Sequence, residues 1–267
     1  MKFDRSSLLL YAVTDRKWTS PQVSLYDQVC AAIDGGVSCV QLREKQLDES
    51  DFLAEARLIG KLCRARRVPF IINDNVELAL RCQADGVHIG QDDMDAQQVR
   101  KRIGEQMILG VSAHNVEEAR TAFQNGADYL GAGAVFSTST KNNVTTLPLD
   151  TLREICSSVE LPVVAIGGVD RSNILKLKGT GVAGVAVVSA IFSQPDPCQA
   201  ARELVALSRQ IFSFVAAQPR SRFPAFPTDH PIAKPATDWG HHLLPLYKKI
   251  MLQRRITHEN SIIHRRK

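Results

Sequence analysis

PFIINDNVELALRCQADGVHI, residues 69–89, carries the reading that decides the fold. The apolar run 69–72 gives way to Asn73-Asp74-Asn75, an amphipathic segment starts at 76–80, and a second apolar run fills 86–89. Both runs are near-continuous rather than alternating, as strands buried on both faces of a parallel sheet require. The same unit extends in both directions. Further apolar runs lie at 8–13, 37–42, 107–111, 129–136, 162–166 and 182–188, which makes eight in all. The segments between them show helical spacing. Leu25, Val29, Ala32 and Ile33 share one face, as do Phe52, Leu53, Ala56, Ile59 and Leu62, and again Leu149, Leu152, Ile155 and Cys156. Gly35-Gly36, Gly126 and Gly181 stand where such helices should end. Eight β-then-α units in succession predict an α/β fold, a (β/α)8 TIM barrel, over residues 1–214. An open doubly wound sheet would leave two edges and would normally carry a glycine-rich loop after its first strand, which is absent here.

The chain's 267 residues accommodate one such barrel, which takes about 250. A hydrophobic content of 44% supports a full core. No apolar run nears the ~20 residues that span a bilayer. The run 8–13 is too short for a signal-peptide core and has no small-residue cleavage site after it. The expectation is a cytoplasmic protein without a membrane partner. Cys30, Cys39, Cys63, Cys82, Cys156 and Cys198 are scattered without CxxC spacing or neighbouring histidines, which argues against a zinc site and a disulfide framework. The net charge of +5 is unevenly distributed: residues 215–267 carry +7 and residues 1–214 carry −2. The barrel is therefore near neutral, and no nucleic-acid partner is implied.

A barrel of this kind places its chemistry just after its strands. Polarity concentrates there, at Thr14-Asp15, Arg43-Glu44-Lys45, Asn73-Asp74-Asn75, Gln91-Asp92-Asp93, Ser112, Thr138-Ser139-Thr140-Lys141, Gly167-Gly168 and Ser189. Gly167-Gly168 after the seventh strand and Val188-Ser189 after the eighth fit a phosphate site of backbone N–H groups; the rival reading is a pair of tight turns. Asp74 and Asp93 follow neighbouring strands, and two carboxylates without soft ligands suit Mg²⁺. Asp74 could instead cap the helix that follows it, and Asp92 rivals Asp93. Arg43, Lys45 and Lys141 fall on the same face. With a metal they would form a catalytic clamp that neutralises a pyrophosphate leaving group. His88 sits inside the fourth strand as a core residue, while His114 either meets ligand or caps a helix. No Ser-His-Asp or Cys-His arrangement supports covalent nucleophilic catalysis.

These strings resemble the thiamine-phosphate synthase family over about residues 8–213. The segments are YAVTD at 11–15, QLREK at 41–45, IINDN at 71–75, GVHIGQDD at 86–93, GVSAHN at 110–115, STSTK at 137–141, AIGGV at 165–169 and VVSAIF at 188–193. The resemblance implies that Gln41, Leu42, Arg43, Glu44, Lys45, Asn73, Ser112 and Lys141 bind an aminopyrimidine pyrophosphate. It implies that Asp74 and Asp93 hold Mg²⁺, and that Thr138, Ser139, Thr140, Gly168, Val188 and Ser189 contact a thiazole phosphate. The implied reaction is dissociative: pyrophosphate departs, the aminopyrimidine stabilises the methylene cation, and the thiazole nitrogen attacks. Such chemistry needs charge neutralisation and positioning rather than a protein nucleophile. Many family members have a proline where this chain has Ser137.

Residues 215–267 resemble nothing in the family. They hold 6 of the 12 prolines and 5 of the 7 histidines, and they read as a proline-rich, basic, poorly ordered tail. A short basic amphipathic helix over 241–256 is the rival reading. The expected partners are small-molecule substrates, and a homo-oligomer is compatible with the sequence. Two other functions compete: a non-catalytic barrel that binds thiazole phosphate and regulates, and a thiazole tautomerase. The joint presence of Gln41, Arg43, Lys45, Asn73, Asp74, Asp93 and Lys141 favours the synthase.

Overall fold

The computed structural model describes residues 4–137 and 146–212. Eight parallel strands close into a barrel in chain order: β1 (Leu10–Val13), β2 (Cys39–Leu42), β3 (Phe70–Asn73), β4 (Gly86–Ile89), β5 (Ile108–Ala113), β6 (Tyr129–Gly133), β7 (Val163–Ile166) and β8 (Gly184–Val187). β1 pairs with both β2 and β8, so no edge is left open. Every apolar run of the sequence becomes one strand. The run 129–136 stops as a strand at Gly133, yet the Val135 and Phe136 N–H groups still donate to the Ile166 and Gly167 carbonyls (2.9 and 3.0 Å).

The first six strands are each followed by a helix: α1 (Leu25–Asp34), α2 (Glu49–Arg66), α3 (Val76–Cys82), α4 (Ala96–Ile103), α5 (Val116–Gln124) and α6 (Leu149–Ser158). The first five start on a side-chain cap, from Ser24, Asp48, Asn75, Asp95 and Asn115. Their apolar stripes pack on the barrel's outer face, where Val29, Ala32, Ala56, Ile59, Leu152 and Ile155 are fully buried. Between β7 and β8 the expected helix is replaced by one 3₁₀ turn, Ile174–Leu177. Local side-chain bonds compete with a helix there: Asn173 Oδ1 accepts from the Asp170 N–H and Asp170 Oδ1 from the Ser172 N–H (2.9 and 2.7 Å). Gly181 accordingly follows a turn rather than a helix. After β8 come a one-turn helix, α7 (Ser189–Phe192), and α8 (Pro197–Ile211), which closes the barrel against α1 and β1.

Strand alternation separates two cores. Leu10, Ala12, Val40, Leu42 and Ile72 face the helices. Tyr11, Val13, Cys39, Ile71, Ile108, Tyr129, Val164 and Ala186 fill the interior. Among the described residues no helix is long and apolar enough to cross a membrane.

Candidate active site

The loop after β2 carries three of the expected charged residues, and the fold holds it tightly. Thr14, fully buried at the end of β1, donates its N–H to the Gln41 carbonyl (2.9 Å), and its hydroxyl accepts the Arg43 N–H (3.0 Å). Gln41 points into the barrel. Leu42 faces the helices, so any ligand contact of Leu42 falls to its backbone. Glu44 serves the loop itself. Its Oε1 accepts the N–H groups of Lys45 and Gln46 (2.7 and 2.8 Å), and its Oε2 meets Arg16 Nε at 2.5 Å. Burial works against its ionisation, but the Gln46 and Lys45 N–H groups and Arg16 outweigh it and hold the carboxyl below its ordinary range. Arg16 also pairs with Glu55 of α2. Burial, aggravated by Glu44 and only partly relieved by Arg16, pushes Glu55 up to about 7.

The two aspartates expected to act together meet. Asn75, not Asp74, caps α3, with Oδ1 accepting from the Leu78 N–H at 2.9 Å. That leaves Asp74 free of capping. Its backbone is left-handed, with φ 63°, and its N–H donates to the His88 carbonyl (2.8 Å). Its carboxyl reaches that of Asp93, which is steadied by the Gly90 N–H at 2.7 Å. Partial loss of solvent and the charge and hydrogen bond of Asp93 push Asp74 up to about 6, against Lys45 and the Asn73 side chain. Lys45, Asn73, Asp74 and Asp93 therefore share one neighbourhood. Among the described residues no cluster of three or more His, Cys, Asp or Glu forms, so this is no all-protein metal cage. A facing pair of hard carboxylates, with Asp74 pushed up beside Asp93, suits a Mg²⁺ ion that keeps water and substrate oxygens as its other ligands.

Below the mouth a hydrogen-bonded chain crosses the interior. Gln41 Nε2 donates to the Tyr11 hydroxyl (2.7 Å), which bonds the Tyr129 hydroxyl (2.8 Å). Tyr129 meets His88 Nδ1 (3.0 Å), and His88 Nε2 meets Ser112 Oγ (3.1 Å). Burial pushes His88 down to about 4, so its imidazole is neutral near pH 7. Gln91 Nε2 donates to the Ser112 carbonyl at 2.5 Å and ties the β4 loop to β5. His114 turns to its own helix, its N–H and Nδ1 both meeting Glu118 (2.8 and 2.9 Å). Sequence reasoning had placed Tyr11 and Tyr129 only inside strands. Their parity with Val13 and Gly131 was the signal that both face inward.

On the far side, Gly167 and Gly168 hold φ 91° and 66°. A Cβ at Gly167 would strike Ala134, and one at Gly168 the carbonyls of Phe136 and Ser137, so both positions require glycine. Asn173 Nδ2 fixes the Gly168 carbonyl (2.8 Å). Val188 stands at the N-cap position of the one-turn helix that Ser189 opens, without a side-chain cap bond. Thr138, Ser139, Thr140 and Lys141 lie outside the described residues, as does the 215–267 tail.

A family profile described as thiamine monophosphate synthase matches residues 10–191. The chain is 47% identical over 184 residues to a thiamine-phosphate synthase of Clostridium acetobutylicum, covering 69% of this chain and 87% of that one. It is 44% identical over 209 residues to a chloroplastic thiamine biosynthetic bifunctional enzyme of Arabidopsis thaliana, covering 76% of this chain. The match spans only 40% of that plant relative's length. Among solved structures, a thiamine phosphate pyrophosphorylase from Pyrococcus furiosus superposes with a TM-score of 0.72 at 35% identity, covering 78% of this chain and 99% of that one.

Proposed function

This chain belongs to the thiamine monophosphate synthase family, and from that membership we propose that its barrel condenses an aminopyrimidine pyrophosphate with a thiazole phosphate to give thiamine phosphate and pyrophosphate. The observation that carries the reading is the meeting of Lys45, Asn73 and the Asp74–Asp93 pair at the barrel mouth. The bond between the pyrimidine methylene and the pyrophosphate oxygen breaks with its electron pair leaving on oxygen. Arg43, Lys45 and Lys141 neutralise the charge that develops there. The electron-rich aminopyrimidine carries the methylene cation, and the lone pair of the thiazole nitrogen forms the new C–N bond. Asp74 and Asp93 would hold Mg²⁺, which when bound adds positive charge on the departing oxygens.

Gln41 and Ser112 orient the pyrimidine ring from below, and Glu44 contributes by holding the loop that carries Arg43 and Lys45. Gly167, Gly168, Val188 and Ser189, with Thr138, Ser139 and Thr140, receive the thiazole phosphate. The residues do what a dissociative transfer asks, which is to position two ligands and stabilise a leaving group. The substrates are diffusible, and a cytoplasmic location belongs with this reading. Mixing both phosphorylated precursors with purified protein and Mg²⁺ should yield thiamine phosphate and one equivalent of pyrophosphate. Binding of thiazole phosphate without product would turn the assignment to a non-catalytic barrel.

A further inference from the structure

We propose that Glu55 and Arg16 are positioning residues for the transfer: Glu55, fixed in α2, holds the Arg16 guanidinium against Glu44 and so sets the loop that presents Arg43 and Lys45 to the pyrophosphate. The inference rests on the assignment of that loop to the pyrophosphate. Residues 43–48 join β2 to α2. Both ends of the loop are tied down. The Arg43 N–H donates to the Thr14 hydroxyl (3.0 Å), and Asp48 caps α2 by accepting the Asp51 N–H (2.9 Å). Glu44 shapes the stretch between them, since its Oε1 gathers the N–H groups of Lys45 and Gln46 (2.7 and 2.8 Å). A shift of Glu44 therefore shifts Lys45, whose charge acts on Asp74 at the mouth.

The Glu44 side chain is only 2% exposed, and a carboxylate removed from water is costly unless a counter-ion meets it. Among the contacts of Arg16, Nε meets Glu44 Oε2 at 2.5 Å and supplies that counter-ion. The Arg16 side chain is itself 23% exposed, so water competes for it. Glu55, shut off from solvent, works against that competition by taking Arg16 Nη2 through its Oε2. The backbone of Arg16 is held too. It lies in a 3₁₀ turn capped by Asp15, and the Trp18 carbonyl accepts from Gln28 Nε2 of α1 (2.6 Å). Packing alone gives no reason for an acid at position 55. Phe52, Ala56 and Ile59 are its buried neighbours on α2, and an apolar side chain of similar volume would be buried there without electrostatic cost. The effect of Glu55 on Arg16, and through Arg16 on Glu44, supplies the reason that packing does not.

The test measures binding of inorganic pyrophosphate with Mg²⁺ by calorimetry, together with KM for each substrate. Glu55→Leu fills the space and removes the acceptor. It should melt near the wild-type temperature, because Arg16 keeps Glu44 and can reach water. Its pyrophosphate affinity should fall about 10-fold, and KM for the aminopyrimidine pyrophosphate rise by about as much, because misplacing a binding group is this costly. KM for thiazole phosphate should stay unchanged. Glu55→Gln keeps an acceptor oxygen for Arg16 and should restore the affinity. Unchanged pyrophosphate binding in Glu55→Leu, or a joint rise of both KM values, would overturn the proposal. Should that variant not fold, Arg16→Lys is titrated in its place. Its single ammonium cannot reproduce the spacing of Nε and Nη2, so wild-type affinity there would overturn the proposal equally. A wild type that binds pyrophosphate but makes no thiamine phosphate would refute the proposed function, while the variants' binding still decides the role of Glu55. A wild type that binds no pyrophosphate would refute both.

Discussion

Asp74 sits at φ 63°, a region that few residues other than glycine occupy, and it does so between Asn73 and Asn75, which take up the local hydrogen bonds. The left-handed turn aims its carboxyl at Asp93 rather than at the helix. A carboxyl pair that already competes for a proton is a pair that a divalent cation would relieve. Chelation should abolish turnover and Mg²⁺ restore it, and Asp74→Asn, which also tolerates this backbone, should remove the dependence together with most activity. Because the metal takes the ionised form, apparent Mg²⁺ affinity should fall as pH drops below about 6, where Asp74 gains its proton. Full activity in a rigorously metal-free assay would refute the assignment. Gly110 makes a separate prediction. An alanine there forces a methyl against Tyr129 and His88, and overpacking of this kind costs about 1–3 kcal/mol. Melting should fall by about 2–4 °C for each kcal/mol, and unchanged melting would mean that the interior is looser than described. The aspartate pair was visible in the sequence as a type and a strand position. The competition between capping and ligation was not, because Asn75 and Asp74 are both good caps and only the backbone turn at Asp74 separates them.

The β2 loop shows how strands and helices cooperate to hold charge at the mouth. One guanidinium, Arg16 on the segment after β1, serves Glu44 on the β2 loop and Glu55 on α2, and so ties three consecutive elements together. Glu55 is the partner left short. Its folded pKa of about 7 exceeds the ordinary 4.5, so the native state keeps this proton where the unfolded chain has lost it. The contribution of Glu55 to stability therefore declines as pH rises from about 4.5 to about 7, by an amount on the order of 3 kcal/mol, and changes little above. His88, pushed down to about 4, acts in the opposite sense between about 4 and 6.5. The difference between wild type and Glu55→Gln isolates the effect. The variant should gain melting temperature relative to wild type at pH 8 and lose that advantage at pH 5. Parallel melting curves at both pH values would show that Arg16 already keeps Glu55 ionised. None of this network was legible beforehand, since Glu44 reads from the resemblance as a substrate contact and Arg16 and Glu55 as ordinary polar residues until the barrel folds them together. The strands were legible because burial on both faces writes continuous apolar runs. The missing seventh helix was not, because the side-chain bonds of Asp170, Ser172 and Asn173 leave no mark on periodicity.

Closure of the barrel is the property that all these sites share, since β1 and β8 must pair before the mouth exists. Every element needed for closure lies before residue 212. α8 ends at Ile211, and its inward residues Ala201, Leu204, Val205 and Ser208 are buried, while Leu207 is only partly covered. The described surface leaves few large apolar side chains exposed, and they fall on separate segments: Val23 before α1, Met94 before α4, Phe123 on α5 and Leu175 in the 3₁₀ turn. Residues scattered in this way are normal on a stable surface. Every residue assigned to substrate or metal likewise precedes residue 190. Residues 215–267 add net charge of +7 and six prolines. Truncation after Phe214 should therefore leave an enzyme with the melting temperature and kcat/KM of the full chain. A drop of several degrees would mean that apolar residues of the tail, Leu243 to Met251 among them, cover the outer helices, at about 2–4 °C per kcal/mol of lost burial. A selective loss of kcat/KM with unchanged melting would instead place the tail in the catalytic cycle, and either result would extend the working structure beyond the barrel.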